Sequence, residues 1–150
     1  MITIKNNEQA SICSGCGKCC KAYSGCVFPH QLKEVTEESI REMIKKGYCF
    51  DWWEGDPRED SYELSRAYFM RPQHKNAIGK ITDPSWGGEC VFHSDDTGCS
   101  LSFDERPLTC QSLVPQLNRH CKLEDEGTNK KGAALAWLPY DEIIEKIIYG

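Results

Sequence analysis

The chain has 150 residues, 39% hydrophobic and 27% charged, the balance of an ordinary globular protein with a modest core. A formal net charge of −5 argues against a general nucleic-acid binder, which needs a basic face, and no apolar run approaches the length of a membrane span. Ten cysteines are the unusual feature. Residues 1–8 hold no apolar secretory core, so a cytoplasmic chain with reduced thiols is expected, and metal or redox chemistry is favoured over a disulfide scaffold.

In chain order, residues 1–12 read as a lead-in with an edge strand at 2–4. Four cysteines follow within eight residues, Cys13, Cys16, Cys19 and Cys20, spaced C-x2-C-x2-C-C. A C-x2-C turn points two sulfurs the same way, and Gly15 and Gly17 let the backbone fold tightly around an ion or cluster. Cys19 and Cys20 are adjacent and would have difficulty both facing one mononuclear ion. A complete tetrahedral zinc or cubane site is therefore expected to recruit ligands from farther along the chain. His30, beside Pro29, is a possible ligand, although a lone histidine before a helix more often caps or sits at the surface.

A helix is predicted over 36–46. Thr36 is its N-cap, Glu37 and Glu38 suit its dipole, Val35 and Ile40 form a hydrophobic staple, and Gly47 ends it. Strands are predicted at 48–53 and 62–69, joined by the turn chemistry of Glu54-Gly55-Asp56-Pro57, giving a hairpin with a long polar tip. Its aromatic residues are expected to cover a small core rather than line a ligand groove. Residues 72–86 read as loop, with a short strand around 77–81. Cysteine chemistry then resumes as Gly88-Glu89-Cys90-Val91-Phe92, Gly98-Cys99-Ser100 and Arg106-Pro107-Leu108-Thr109-Cys110. Pro107 can open a helix that carries Cys110 one turn in, on the side of Arg106. Arg106 is then either a donor to thiolate sulfur or the partner of Asp104 or Glu105 in a surface ion pair. Residues 122–131 read as a charged loop and 135–138 as a short apolar run. A last helix is predicted from Pro139-Tyr140-Asp141, with Ile143, Ile144, Ile147 and Ile148 as its apolar stripe.

The combination of C-x2-C-x2-C-C, a later G-x-C-x-F and G-C-S-x-x-F-x-x-R-P-x-x-C resembles the CxxCxxCC family, described as a zinc- or iron-chelating domain, and is similar to the cysteine-rich part of flagellin lysine methylase. The resemblance covers residues 13–20 and 88–113. It implies seven motif cysteines, Cys13, Cys16, Cys19, Cys20, Cys90, Cys99 and Cys110, as metal ligands, with Arg106-Pro107 as the family's R-P pair. Cys26, Cys49 and Cys121 fall outside the pattern and read as buried thiols, with Cys121, next to His120, the best placed of them as an extra ligand.

These readings combine into a small single α+β domain over 1–150, with a short antiparallel sheet, helices and long loops around a cysteine-ligated metal centre. The cofactor is an iron–sulfur cluster (4Fe-4S) or zinc. C-x2-C-x2-C with a remote cysteine is a cubane pattern, but the proline that follows the last cysteine in bacterial ferredoxins is replaced by Gln111, and zinc more often uses two C-x2-C pairs. Three functions fit: an accessory or redox protein, a cluster-dependent protein-modifying enzyme of methylase type, and a zinc-stabilised interaction module. No Gly-rich nucleotide loop and no nucleophile–base arrangement supports the enzyme. The reading allows an unidentified protein partner, or a protein or small molecule as substrate, with no membrane and with nucleic acid disfavoured.

Overall fold

The computed structural model describes residues 25–58, 61–83, 87–94, 98–114, 122–123, 127 and 129–150. The predicted edge strand at 2–4, the C-x2-C-x2-C-C motif, His120 and Cys121 lie outside the described residues.

The architecture is α+β, built on one antiparallel hairpin. Helix α1 spans Glu37–Lys46. The Thr36 hydroxyl accepts from the Ser39 N–H at 3.0 Å, and the Ser39 hydroxyl accepts from the Thr36 N–H at 2.9 Å, a reciprocal cap. Gly47 ends the helix at φ +117°, a conformation that costs a residue without Cβ little. Strands β1 (Tyr48–Glu54) and β2 (Arg66–Pro72) follow, with Tyr48 opposite Pro72 and Glu54 opposite Arg66. At the polar tip Asp56 accepts from the Arg58 N–H (3.0 Å), the Ser61 hydroxyl (2.9 Å) and the Leu64 N–H (3.3 Å). The Arg58 guanidinium first, then these donors, hold the Asp56 carboxyl well below the usual range.

Both edges of the hairpin are engaged. Val27 bridges to Met70 on the β2 side, and the 81–83 stretch exchanges backbone hydrogen bonds with Phe50 on the β1 side (2.8 and 2.9 Å). The strand predicted at 77–81 is therefore corrected. Lys75–Ala77 is a 3₁₀ turn, Gly79 at φ +88° breaks any extended run, and only a single bridge, Phe50 to Thr82, remains. Two-residue ribbons β3 (His93–Ser94) with β4 (Gly98–Cys99), and β5 (Leu113–Val114) with β6 (Lys122–Leu123), complete the strands among the described residues. Helix α2 is the short Leu108–Ser112, beginning just after Pro107.

Helix α3, Lys130–Trp137, replaces the predicted loop and apolar run. Asn129 caps it by accepting from the Gly132 N–H at 2.8 Å, and Ala133, Ala134 and Trp137 are buried. A Cβ at Gly132 would collide with the Gly127 carbonyl, so the glycine that weakens the helical pattern is needed for close approach. Leu138–Tyr140 forms a 3₁₀ turn leading into α4, Asp141–Tyr149. Ile144 and Ile147 are buried, and Ile143 and Ile148 pack beside them, as the apolar stripe predicts.

Helix α3 packs on β2, α1 on β1, and α4 against α1 and β2. The core joins Phe50, Phe69, Met70, Ile40, Trp137 and Ile144, so the hairpin aromatics do cover a core. Trp137 is central: its ring meets Phe50 edge-on at 6.1 Å, and its indole N–H donates to the Val27 carbonyl at 2.8 Å. That bond ties the stretch leaving the N-terminal cysteine motif to the C-terminal helices. Among the described residues, no helix is long and apolar enough to cross a membrane.

Candidate metal centre

Two segments carry the described motif cysteines. The first, 88–94, lies along 73–75: the Lys75 N–H donates to the Glu89 carbonyl (2.8 Å), the Val91 N–H to the Gln73 carbonyl (2.9 Å), and His74 bridges to Cys90. Gly88 permits this approach, since a Cβ there would lie 2.9 Å from the Cβ of His74. A turn closed by His93 N–H to Cys90 O (3.0 Å) leads into β3, which places His93 directly opposite Cys99 of β4. Phe92 packs on Tyr48 with ring centroids 5.4 Å apart.

The second segment holds Arg106 and Cys110, and it is clamped to the residues that leave the N-terminal motif. The Gln31 side chain is the clamp. Its carbonyl oxygen accepts from the Phe28 N–H (3.0 Å) and the Leu108 N–H (2.8 Å), while its amide donates to the Arg106 carbonyl (2.9 Å). The Cys26 carbonyl accepts from the Thr109 N–H at 3.3 Å. The result is close contact: a Cβ at Gly25 would lie 2.5 Å from Cys110 Sγ and 3.3 Å from the Cys110 nitrogen. The thiol of the last motif cysteine therefore rests on backbone five residues beyond Cys20.

Burial first, then the neighbouring Cys90, Cys110 and Cys99, push the Tyr48 hydroxyl up to about 12. Cys90 is buried, and Cys99 and Cys110 are half-buried. Among the described residues, no three His, Cys, Asp or Glu side chains converge closely enough to hold a metal by themselves. The described motif cysteines thus form no closed ligand set by themselves.

The remaining predicted residues sort clearly. Cys26 and Cys49 are buried, and burial pushes both thiols up to about 12, so they are neutral at pH 7 and suited to packing. His30 is exposed in the 3₁₀ turn Pro29–Gln31. Arg106 is buried, which departs from a surface ion pair, and its Nε donates to the Leu101 carbonyl at 3.2 Å. Glu105 is engaged locally, accepting from the Ser102 hydroxyl at 2.7 Å.

Sequence reasoning missed Gln31, Gly25 and the pair Glu89–His93. Nothing around Gln31 announces its role, because its partners lie 75 and 77 positions away. His93 had a readable signal, standing three residues after Cys90. Its Nδ1 lies 2.9 Å from Glu89 Oε2, and Lys75 Nζ lies 2.7 Å from the same oxygen. These two partners, His93 first, hold the Glu89 carboxyl down to about 2.

The family model CxxCxxCC, described as "Putative zinc- or iron-chelating domain", matches residues 12–132. No curated protein and no solved structure matches the chain.

Proposed function

The chain belongs to the CxxCxxCC family of zinc- or iron-chelating domains, and on that premise we propose that it holds one cysteine-ligated metal centre whose ligands come from both ends of the sequence motif. The donors would be Cys13, Cys16, Cys19 and Cys20 from the first half and Cys90, Cys99 and Cys110 from the second. The observation that carries this reading is the contact of Cys110 Sγ with Gly25, which sets the second half at the exit of the first. The described donors fit such a group chemically. They are soft sulfurs, Cys90 buried and Cys99 and Cys110 half-buried.

Within that reading the group is an iron–sulfur cluster in preference to a single zinc. C-x2-C-x2-C with a remote cysteine is the ligand pattern of a cubane, whereas zinc more often uses two separated C-x2-C pairs. Bound there, a cluster supplies one-electron chemistry, and the protein acts as a cytoplasmic accessory or redox partner of another protein. The chain's own part is to gather thiolates and offset their charge. Arg106, buried four residues before Cys110, is the fixed positive charge suited to that task. The centre would close a loop of about seventy residues or more, so metal affinity and folding are coupled.

The test is metal content, labile sulfide and visible absorbance of protein purified without oxygen. Iron with sulfide and a visible band that bleaches on reduction are expected. Zinc alone, with no chromophore after iron and sulfide reconstitution, would overturn the cluster. Cys16→Ser and Cys110→Ser should each lower metal content and melting temperature by similar amounts. Full occupancy with unchanged melting in Cys110→Ser would overturn the two-ended centre.

A further inference from the structure

We propose that His93 is a nitrogen donor to the same centre, paired with Cys99 and held in place by Glu89; this rests on the metal-binding reading above. The motif cysteines do not include it, and three features of its surroundings point to the role. The first is its partner. Nδ1 lies 2.9 Å from Glu89 Oε2, an oxygen also held by Lys75 at 2.7 Å. A carboxylate so placed accepts from Nδ1, the pairing that aims Nε2 outward as the ligating nitrogen. That carboxylate–imidazole pairing is how ligating histidines are commonly fixed and aimed.

The second feature is position. His93 and Cys99 are directly opposite in the β3–β4 ribbon, so their side chains leave it on the same face with Cβ atoms about 4.5–5.5 Å apart. The turn closed by His93 N–H and Cys90 O keeps the ring on the same short segment as a motif cysteine. The third feature is burial. His93 is 4% exposed, whereas Glu89 keeps 29% of its side-chain surface in water and already has Lys75. An ion pair alone gives no reason to bury the ring.

The test uses metal-free protein titrated with Co²⁺ and then competed with Zn²⁺. In the wild type Co²⁺ should give ligand-field bands in the visible and thiolate charge-transfer bands in the near ultraviolet. Glu89→Gln should weaken affinity by about 10- to 100-fold and leave the spectrum in place, the effect of loosening an outer partner. His93→Ala should weaken it further and shift the ligand-field bands. His93→Cys, which retains a donor and guards against a misfolded alanine variant, should bind Co²⁺ with a stronger thiolate charge-transfer band. Wild-type affinity and an unaltered spectrum in His93→Ala, or an unchanged charge-transfer band in His93→Cys, would overturn the assignment of His93 alone. A wild type that takes up neither Co²⁺ nor, on reconstitution, iron and sulfide would overturn the metal-binding reading and this inference with it.

Discussion

Arg71 holds the base of the hairpin together, and Arg71→Met isolates its contribution. The guanidinium is 1% exposed and faces two buried carboxylates. Its Nε donates to Asp51 Oδ2 at 3.0 Å, and one terminal nitrogen donates to both the Asp83 carboxylate (2.9 Å) and the Asp83 carbonyl. The other terminal nitrogen donates to the Pro72 carbonyl at 3.0 Å. Methionine keeps the stem's apolar contacts and removes every one of these bonds, leaving two buried carboxylates without their counter-charge. Removing one partner from a buried ion pair costs about 3–5 kcal/mol. A domain of this size has about 5–15 kcal/mol in total and loses about 2–4 °C of Tm per kcal/mol, so a fall of about 6–20 °C is expected. Burial, working against Arg71, already raises the Asp51 carboxyl above its usual value. Without Arg71 that rise grows, so the folded variant binds a proton that the unfolded chain does not. Folding is then favoured as pH falls, and the gap to the wild type should narrow between about pH 7 and pH 4. Urea titrations at several pH values measure both effects. Adding Asp51→Asn to the variant should recover part of the loss. A cost under about 1 kcal/mol, or a gap that widens in acid, would refute the reasoning.

Gly25→Ala should press a methyl group against Cys110 Sγ, destabilising the fold by about 1–3 kcal/mol and lowering metal content in the same preparation. Cys49→Ala should keep wild-type metal content, because Cys49 is fully buried in β1 and its thiol is neutral; metal loss as complete as in Cys16→Ser would place it among the ligands. In the folded protein Cys26 and Cys49 should resist an alkylating reagent at pH 8 and react only after unfolding, as read by mass spectrometry of labelled peptides. Thr36→Ala removes the cap of α1 and should cost about 1 kcal/mol in a urea titration, with metal binding unchanged.

How much of this protein could be read in its sequence depends on the range of each interaction. Helix α1 was legible from Thr36, Glu37 and Glu38, the Val35–Ile40 staple and Gly47, because a cap, a dipole and an αL terminus are all local. The hairpin was legible for the same reason, from two aromatic runs flanking a turn. The strand expected at 77–81 failed because a few apolar residues carry no strand signal once Gly79 turns the backbone, and what actually seats there is decided by Phe50, some thirty positions earlier. Helix α3 was missed because Gly132 sits inside a short run and weakens the helical pattern there. Its stability comes from burying Trp137 against Phe50 rather than from propensity, and packing energy has no signature in a short window.

The candidate centre divides along the same line. The sequence by itself pointed to soft-ligand metal chemistry through C-x2-C-x2-C-C, and the resemblance to the family added Cys90, Cys99 and Cys110 as expected ligands. It also set Cys49 apart as an expectation, because it stands alone on a strand and outside the family pattern. Only the tertiary structure decided that Cys110 lies on Gly25, that Gln31 fastens the two segments, that Arg106 is buried, and that Glu89 holds the ring of His93. Each of these depends on the fold. A hydrogen bond across seventy-five positions exists only after the chain has closed, and the residues at its two ends need satisfy no local rule that a reader of the sequence could recognise.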